Sequence, residues 1–391
     1  EGPGLLPVEG LPRTPHPPTG QGGCIQEEGI PGKPGMIVHN TRPINGEFPP
    51  HLLNDNVTPS PRHFVRNNGL VPERATGHDP QGWKLTVDGE VQKKLELSLD
   101  DLKNRFPKVT LQANIECGGN GRALFDPPVR GNPWARGAVA CSEWSGVRLR
   151  DILNEAGLKE TAVYTAHYGD DPQLGQAPPF SRGVPIDKAL EEHTLVAYQM
   201  NGDDLPALNG YPVRIVVPGW IGSASQKWLN RIWIRDQVHD SFKMTGYSYR
   251  VPKYPVVPGT RPPEKDMKIA TAWEIKSLIT RPQQETDFRN GEDITVRGHA
   301  WAGENRVDRV MVSTDYGIHW KQAKLTEPNN KYAWYHFETQ VEFPTKGYYE
   351  IWARAFDERG EAQPFRQPWN PKGYLGNVVH RVPVMVGLSA A

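Results

Sequence analysis

Short runs of alternating hydrophobic and polar residues predict several strands in the first two thirds of the chain. Residues 83–91 alternate around an Asp-Gly turn and predict a hairpin, whereas the apolar run 109–115 predicts a buried strand. Similar runs at 162–166, 194–200 and 212–217 predict further strands, and an Asn-Gly turn follows the second of them. These runs are the expected sheet-forming elements of a first domain.

Two segments in the same part of the chain carry a helical pattern. Residues 99–102 begin a short helix, and residues 144–158 form an amphipathic helix that Gly157 can end. Because helices and strands are mixed without regular β-α alternation, we predict an α+β domain rather than a doubly wound sheet.

A different pattern follows a Pro-rich connection at residues 251–263. Short alternating runs, separated by turn residues, then predict an all-β sandwich of immunoglobulin-like type without the cysteine pair of antibody domains. The predicted strands lie at residues 294–298, 307–313, 348–355 and 382–386. We therefore predict an irregular Pro/Gly-rich arm over residues 1–40, an α+β domain over 41–262 and a β-sandwich over 263–391.

Charge and hydropathy exclude two classes of partner. Lys and Arg total 45 of the 391 residues and Asp and Glu also total 45, so no overall field attracts nucleic acid or an anionic membrane. Mean hydropathy is −0.62, and no run reaches the ~20 apolar residues that span a bilayer. The chain begins at Glu1, which fits a mature protein after removal of an export signal.

Cysteine usage limits the cofactor chemistry. The chain has three cysteines and no C-x-x-C-H motif, so covalent c-type haem is excluded. Cys24 and Cys141 either pair in an oxidising compartment or remain free thiols. Cys117 differs from both because it lies in the run Asn-Ile-Glu-Cys-Gly-Gly-Asn-Gly-Arg, residues 114–122. A thiolate is a soft ligand for a redox-active metal, and the glycines would let backbone amides approach a bulky anionic cofactor.

Other segments combine with this run to form a recognisable set. They are Phe-Val-Arg-Asn-Asn at 64–68, Tyr-Pro-Val-Arg at 211–214, Lys-Trp-Leu at 227–229 and Trp-Asn-Pro-Lys-Gly at 369–373. In their order along the chain, from about Asn45 to the C-terminus, these segments resemble the sulfite oxidase family of molybdenum enzymes. The resemblance implies a sulfite-oxidase-type molybdopterin domain, followed by a sandwich domain that forms a homodimer.

The same resemblance assigns the cofactor site. Cys117 is the expected ligand of molybdenum held by one molybdopterin, and no haem is expected in this chain. Arg214 and Lys227 are the expected phosphate contacts, and relatives carry histidine where this chain has Asn68 and Asn209. The full set of expected cofactor contacts is Phe64, Val65, Asn67, Asn68, Asp170, Asn209, Arg214, Ser225, Gln226 and Lys227.

A substrate pocket beside the metal is implied as well. Arg66 and Arg122 stand where relatives bind the oxyanion, since a guanidinium offers a fixed charge and a planar fork. Tyr249 is the expected pocket phenol, with Tyr247 as the competing assignment. Lys372 replaces the third arginine of the family and keeps the charge without the fork.

These assignments predict oxidation of sulfite to sulfate, with electrons passed to a separate acceptor. A c-type cytochrome is the expected acceptor, as in a bacterial periplasmic sulfite dehydrogenase without a haem domain. Two other functions remain open: a sulfoxide reductase of related fold, and a non-enzymatic β-sandwich binding protein that carries no metal.

Overall fold

The structure is a computed structural model that describes residues 29–388. Most of the predicted arm, including Cys24, lies outside the described residues. The described residues are strand-rich and contain four short α-helices, so the predicted α+β mixture is weighted strongly toward strands. No helix between residues 29 and 388 combines the length and apolarity needed to cross a membrane.

The first part of the chain contains all four of these α-helices and two of the larger sheets. Its strands are β1 (Ile37–Thr41), β2 (Ile44–Glu47), β3 (Val65–Arg66), β4 (Leu85–Gly89), β5 (Leu95–Leu97), β6 (Val109–Glu116), β7 (Val139–Arg148), β8 (Tyr164–Gly169), β9 (Ser181–Arg182), β10 (Leu195–Met200), β11 (Asp203–Asp204), β12 (Arg214–Val216), β13 (Leu229–Arg235), β14 (Arg250–Pro252) and β15 (Met267–Ile269). Its α-helices are α1 (Glu73–Thr76), α2 (Leu99–Arg105), α3 (Leu149–Ala156) and α4 (Ile186–Leu190). Short 3₁₀ turns lie at Pro50–Leu52, Ser60–Arg62, Arg122–Leu124, Ala207–Asn209, Gly222–Ala224 and Glu264–Asp266.

Two five-stranded sheets share one core. The first has the order β5-β4-β13-β8-β9, with β4 and β13 parallel; the second has the order β11-β10-β7-β6, with β12 also paired to β10. Val87 and Ile232 from the first sheet pack in the same buried cluster as Val196 and Ile215 from the second, together with Leu153 of α3. Burial of such side chains stabilises the domain by about 1.5–3 kcal/mol each.

Most of the predicted elements of this domain are confirmed. A hairpin does begin in residues 83–91, as the antiparallel pair β4 and β5, but Asp88 and Gly89 end strand β4 and the chain turns after them, before Leu95. The strand predicted at 109–115 is β6. The helix at 99–102 is α2, which Ser98 caps by accepting a hydrogen bond from the Asp101 amide at 3.0 Å. The predicted runs at 162–166, 194–200 and 212–217 correspond to β8, β10 and β12.

The helix predicted over residues 144–158 is wrong over its first residues. Residues 144–148 belong to β7, because they pair with β6 on one side and β10 on the other. The helix begins at Leu149 and ends at Ala156, where Gly157 adopts a φ of 69°. Pairing on both edges therefore overrides the amphipathic pattern of this segment.

The last part of the chain consists of two facing sheets. Its strands are β16 (Lys276–Arg281), β17 (Asp287–Phe288), β18 (Ile294–Trp301), β19 (Val307–Ser313), β20 (Lys321–Gln322), β21 (Lys324–Thr326), β22 (Tyr335–Val341), β23 (Gly347–Asp357) and β24 (His380–Val386). The sheets have the orders β16-β18-β22-β21 and β17-β24-β23-β19-β20. Val296 and Phe337 of the first pack in one buried cluster with Val310 and Ile351 of the second. All four predicted strands are confirmed, within β18, β19, β23 and β24.

A buried ion pair joins the two parts of the chain. Glu116 ends β6 and is 1% exposed, and its carboxylate accepts a hydrogen bond from Lys276, the first residue of β16, which is 4% exposed. Trp301 Nε1 donates to the same carboxylate at 2.7 Å, and Asn120 Nδ2 donates to it at 2.8 Å. Burial raises the pKa of Glu116 and lowers that of Lys276, and each charge lowers the electrostatic cost of the other.

We expect Lys276→Met to lower the free energy of unfolding by about 3–5 kcal/mol, because it leaves the Glu116 carboxylate buried without its cation. Urea unfolding measures the change. Lys94→Met is the control, because Lys94 pairs with Glu96 in solvent, and we expect little change there. Equal changes in the two variants would contradict a structural role for the buried pair.

Candidate active site

The backbone on both sides of Cys117 is fixed by hydrogen bonds. The Cys117 amide donates to Ala138 O at 2.9 Å, and its carbonyl accepts from the Asn120 amide at 2.7 Å. The Asn120 side chain bridges this loop to Glu116 and to the Ala138 amide, at 2.8 and 3.2 Å. Cys117 is only 6% exposed. The thiol is therefore held in one place by the same network that joins the two domains.

Cys117 lies where two cavities meet. The inner cavity spans about 660 Å³ and the outer cavity about 920 Å³, in both cases with the solvent-open space at the mouth included. Both are lined by Arg66, Asn67, Asn68, Cys117 and Tyr249. Any group bound to the Cys117 sulfur from the inner side would therefore be accessible from the outer cavity.

The inner cavity contains buried positive charge. Arg214 is 3% exposed, and its guanidinium donates to Asn209 O at 2.9 Å and Ser225 O at 3.0 Å. It has no carboxylate partner in the described part of the chain. Burial lowers the pKa of Arg214 to about 9. Lys227 donates to Leu208 O at 2.8 Å and to Asn67 Oδ1. Burial, and then the charge of Arg214, lower the pKa of Lys227. Such an excess of buried cations fits a bound anion such as a phosphate group.

Several buried polar atoms in residues that line the inner cavity have no hydrogen-bond partner among residues 29–388. They are His63 Nε2, Asn67 Nδ2, Asn209 Oδ1, Ser223 Oγ and Gln226 Oε1. Unpaired buried donors and acceptors are costly, so a ligand that carries both kinds of group would satisfy them. A pterin has both, and its phosphate would meet Arg214 and Lys227. The residues present therefore fit a molybdopterin, with Cys117 available to a metal at its edge.

Two predicted cofactor contacts, Asp170 and Val65, do not line the inner cavity. Asp170 is exposed and bonded to Asn230 at 2.5 Å, whereas the next residue, Asp171, lines the inner cavity and is 8% exposed. Burial raises the pKa of Asp171 to about 6. Val65 is buried in β3 and borders neither cavity. The remaining expected contacts all line the inner cavity: Phe64, Asn67, Asn68, Asn209, Arg214, Ser225, Gln226 and Lys227.

The outer cavity carries the predicted oxyanion-binding residues. Arg122 donates to Asn132 O at 3.0 Å and, through Nε, to Lys372 O at 2.9 Å. The Lys372 side chain also lines this cavity, and its pKa is lowered first by burial and then by neighbouring cations, among them Arg122. The cluster therefore concentrates positive charge at the entrance to Cys117.

The two candidate tyrosines occupy different environments. Tyr249 lines both cavities, and its hydroxyl accepts hydrogen bonds from Arg66 Nη2 at 3.1 Å and Asn68 Nδ2 at 3.4 Å. Tyr247 donates instead to Pro262 O at 2.5 Å and borders neither of the two cavities. The geometry therefore favours Tyr249 as the pocket phenol.

Sequence reasoning did not assign several residues that line the two cavities, and some of them carry polar or charged side chains. His63 and Ser223 line the inner cavity, whereas Arg130, Lys243 and Tyr374 line the outer one. His63 directly precedes the recognised run at 64–68, so its position was a usable signal. The three residues of the outer cavity lie in loops between strands, and no sequence pattern predicts that they are close to Cys117.

Two protein-family models that match this chain identify the class of protein to which it belongs. Residues 69–243 match the family model described as oxidoreductase molybdopterin binding domain, and residues 267–387 match the Mo-co oxidoreductase dimerisation domain. The chain is therefore an oxidoreductase of the molybdopterin-binding class.

Individual relatives narrow the assignment. Mitochondrial sulfite oxidase of Macaca fascicularis is 35% identical over 90% of this chain and 66% of its own length, and sulfite oxidase of Gallus gallus is 35% identical over 90% and 78%. The chain thus spans about two thirds of the mitochondrial relative. The sulfane dehydrogenase SoxCD from Paracoccus pantotrophus has a similar structure, with a TM-score of 0.73, 28% identity and coverage of 86% of this chain and 83% of that one. The chain belongs to the sulfite oxidase family of molybdoenzymes, and its cofactor is molybdenum with molybdopterin.

Cys117→Ser should change the ligand set of the metal without emptying the site, because the pterin also holds the metal and a hydroxyl is a poor substitute for a thiolate ligand. Elemental analysis of protein expressed with ample molybdate measures the metal content, which we expect to stay close to that of the wild type. Absorption spectroscopy of the same samples should show loss of the thiolate-to-metal charge-transfer band. Cys141→Ser is the matched control. Cys141 is also buried, and burial raises its pKa to about 12, so it is an inert thiol outside both cavities. The same absorption spectrum in the two variants would contradict the assignment of Cys117.

Proposed function

We propose that this protein oxidises sulfite to sulfate and passes the electrons to a separate acceptor. The observation that carries the proposal is the position of Arg66, which borders both cavities beside Cys117, with Arg122 in the outer cavity. Two guanidinium groups beside a metal ligand fit a small oxyanion better than a neutral sulfoxide. The bound molybdenum cofactor would supply the two-electron chemistry.

The charges of the outer cavity would draw in and orient the substrate. Burial disfavours the charge of Arg66, but the neighbouring Tyr249 and Cys117 raise its pKa overall, so it stays cationic. Arg122 is held by backbone carbonyls and by close contact with glycines, since a Cβ at Gly119 would meet its guanidinium at 2.4 Å. Both cations are therefore fixed before the substrate arrives, which limits the entropy lost on binding.

Tyr249 is suited to donate a proton to the bound oxyanion in a hydrogen bond. Its oxygen accepts from Arg66 and Asn68, so the hydroxyl proton is free to face the cavity. Tyr249 is 6% exposed, so little bulk water competes for that proton. The phenol would thereby stabilise the charge that develops on the substrate oxygen atoms.

Purified, molybdenum-loaded protein should reduce cytochrome c when sulfite is added. We expect Arg66→Gln and Arg122→Gln each to raise the sulfite KM by about 10- to 100-fold while keeping the metal content, because each removes a charge-assisted contact. Arg297→Gln is the control, because Arg297 is exposed on β18. Cytochrome reduction and elemental analysis are read on the same samples.

Three outcomes would contradict this proposal. Reduction of methionine sulfoxide without sulfite oxidation would favour a sulfoxide reductase. Turnover of a sulfane sulfur substrate without sulfite would indicate an activity like that named for SoxCD. Loss of metal in proportion to loss of activity would make Arg66 and Arg122 cofactor supports.

We also propose that a c-type cytochrome is the acceptor and that the protein works in the periplasm. Such a cytochrome takes one electron at a time, and this sequence contains no c-type haem motif of its own. The assay above tests the acceptor, and fractionation of producing cells tests the location. Recovery of the protein in the cytoplasmic fraction would contradict the periplasmic assignment.

The second domain is proposed to be immunoglobulin-like and to form a homodimer. Its two facing sheets support the first assignment, and the match to a dimerisation domain supports the second. An exposed aromatic cluster lies on this domain: Tyr316 contacts Trp352, which contacts Phe365, and Phe365 also contacts Trp320. Tyr316 is 52% exposed and Phe365 44% exposed, so a second copy could bury the cluster.

The double variant Tyr316→Glu and Phe365→Glu should convert the dimer to a monomer, because both side chains would place charge in an apolar contact. Sedimentation analysis measures the mass. Val257→Glu is the control, because Val257 is 70% exposed in the first part of the chain. A double variant that keeps the dimeric mass, or a monomeric wild type, would contradict the proposed interface.

A further inference from the structure

A buried arginine lies outside both cavities and next to the pocket phenol. Arg182 in β9 is 1% exposed, and its Nε and Nη1 atoms have no hydrogen-bond partner among the residues that the structure describes. Only Nη2 has one, a long contact of 3.4 Å to Ala270 O. Buried donors are normally satisfied, so this side chain requires another explanation.

Arg182 also has no carboxylate partner within residues 29–388. The groups that raise its pKa are the phenol groups of Tyr249, Tyr164 and Tyr374. Burial lowers the pKa of Arg182 to about 10, which still leaves the guanidinium charged at neutral pH. A buried cation without an anion destabilises the fold, and such features are typical of functional sites.

The aromatic neighbours of Arg182 connect it to the oxyanion pocket. Its guanidinium carbon lies 4.8 Å from the centroid of the Tyr249 ring. The Tyr249 ring stacks on Tyr374 from the second domain, at 5.4 Å and an interplanar angle of 17°. Arg122 in turn lies 5.4 Å from the centroid of the Tyr374 ring. These contacts thus form a continuous series that runs from Arg182 in β9, through the two tyrosine rings, to Arg122, which is predicted to bind the substrate.

The backbone of Tyr249 has an unfavourable conformation, which the residues around it must maintain. Tyr249 has a φ of 52°, in the left-handed region that bulky residues rarely adopt. A strained residue keeps its geometry only where its surroundings determine it. The Tyr249 carbonyl accepts a hydrogen bond from the Ala270 amide at 2.9 Å, and its ring contacts Arg182, Tyr374 and Phe180. The hydroxyl is then held at Arg66, at the junction of the two cavities.

We propose that Arg182 is a positioning residue for the oxyanion pocket, which acts by holding the Tyr249 ring so that its hydroxyl faces the bound oxyanion. The inference rests on the proposed sulfite oxidation. The fixed charge of Arg182 is attracted to the electron-rich face of the Tyr249 ring, and solvent does not screen this attraction because both groups are buried. Arg182 itself does not touch the substrate, since it borders neither cavity.

The test compares Arg182→Met, which removes the charge at similar length, with Arg182→Lys, which retains it. Two properties of the molybdenum-loaded full chain are measured: sulfate affinity by calorimetry, which requires no turnover, and the sulfite KM. We expect Arg182→Met to weaken sulfate binding and to raise the KM by roughly tenfold with the metal content unchanged. Arg182→Lys should stay within about threefold of the wild type.

Two further variants separate positioning from general damage. In a Tyr249→Phe background, Arg182→Met should change sulfate affinity by less than about twofold, since the hydroxyl it positions is gone. Arg235→Met is the matched control, because Arg235 is a buried arginine with its own carboxylate partner, Asp240, and it should leave sulfate affinity unchanged. If Arg182→Met fails to load molybdenum, Arg182→Gln takes its place in the same series.

The positioning role would be overturned if Arg182→Met bound sulfate as tightly as the wild type. It would also be overturned if Arg182→Met changed sulfate affinity as much in the Tyr249→Phe background as in the wild type. Either result would leave the proposed sulfite oxidation intact. A wild type that does not oxidise sulfite would instead overturn the proposed function, and this inference with it. Similar losses in Arg182→Met and Arg182→Lys would show that the charge is not what matters, and would also overturn it.

Discussion

The buried ion pair between Glu116 and Lys276 is the interaction on which the site depends. Glu116 directly precedes Cys117 and receives hydrogen bonds from both domains, so the position of the thiol is set jointly by them. An ion pair in this position is costly to desolvate and gains its value from geometry rather than from net stability. It fixes the register of the second domain against the loop that holds the metal ligand.

The site contains more buried positive charge than negative charge, and this excess suits it to bind anions. Arg214, Lys227 and Arg182 are buried cations, and none of the three has a salt-bridge partner within residues 29–388. A bound anionic cofactor would neutralise the inner charges and satisfy the unpaired polar atoms around them. Binding free energy would then contribute to folding, as in other proteins whose sites are incomplete without their cofactor. The outer cations remain available to attract a second, smaller anion.

Much of the site could be predicted from sequence because its residues lie in compact runs. The runs at 64–68 and 225–227 line the inner cavity at every position except Val65, so neighbours in the sequence are also neighbours in the site. The failure at Asp170 has a simple cause: just beyond the end of β8, adjacent residues face opposite sides, so a shift of one residue exchanges the buried carboxylate for the exposed one. The prediction of a helix from residue 144 is wrong because the first residues of that segment pair with β6 and β10 and therefore belong to the sheet.

The sequence alone determined the elements whose signals are local: the strands with period-two alternation, the glycine-flanked Cys117 and the family to which these motifs belong. Only the tertiary structure decided which distant groups meet. Arg182, Tyr374 and Lys276 carry no local pattern, and their importance arises from contacts with Tyr249, Arg122 and Glu116 across 67, 252 and 160 positions of the chain. Such contacts form because burial of many unrelated side chains closes the fold, and no short window of sequence records that closure.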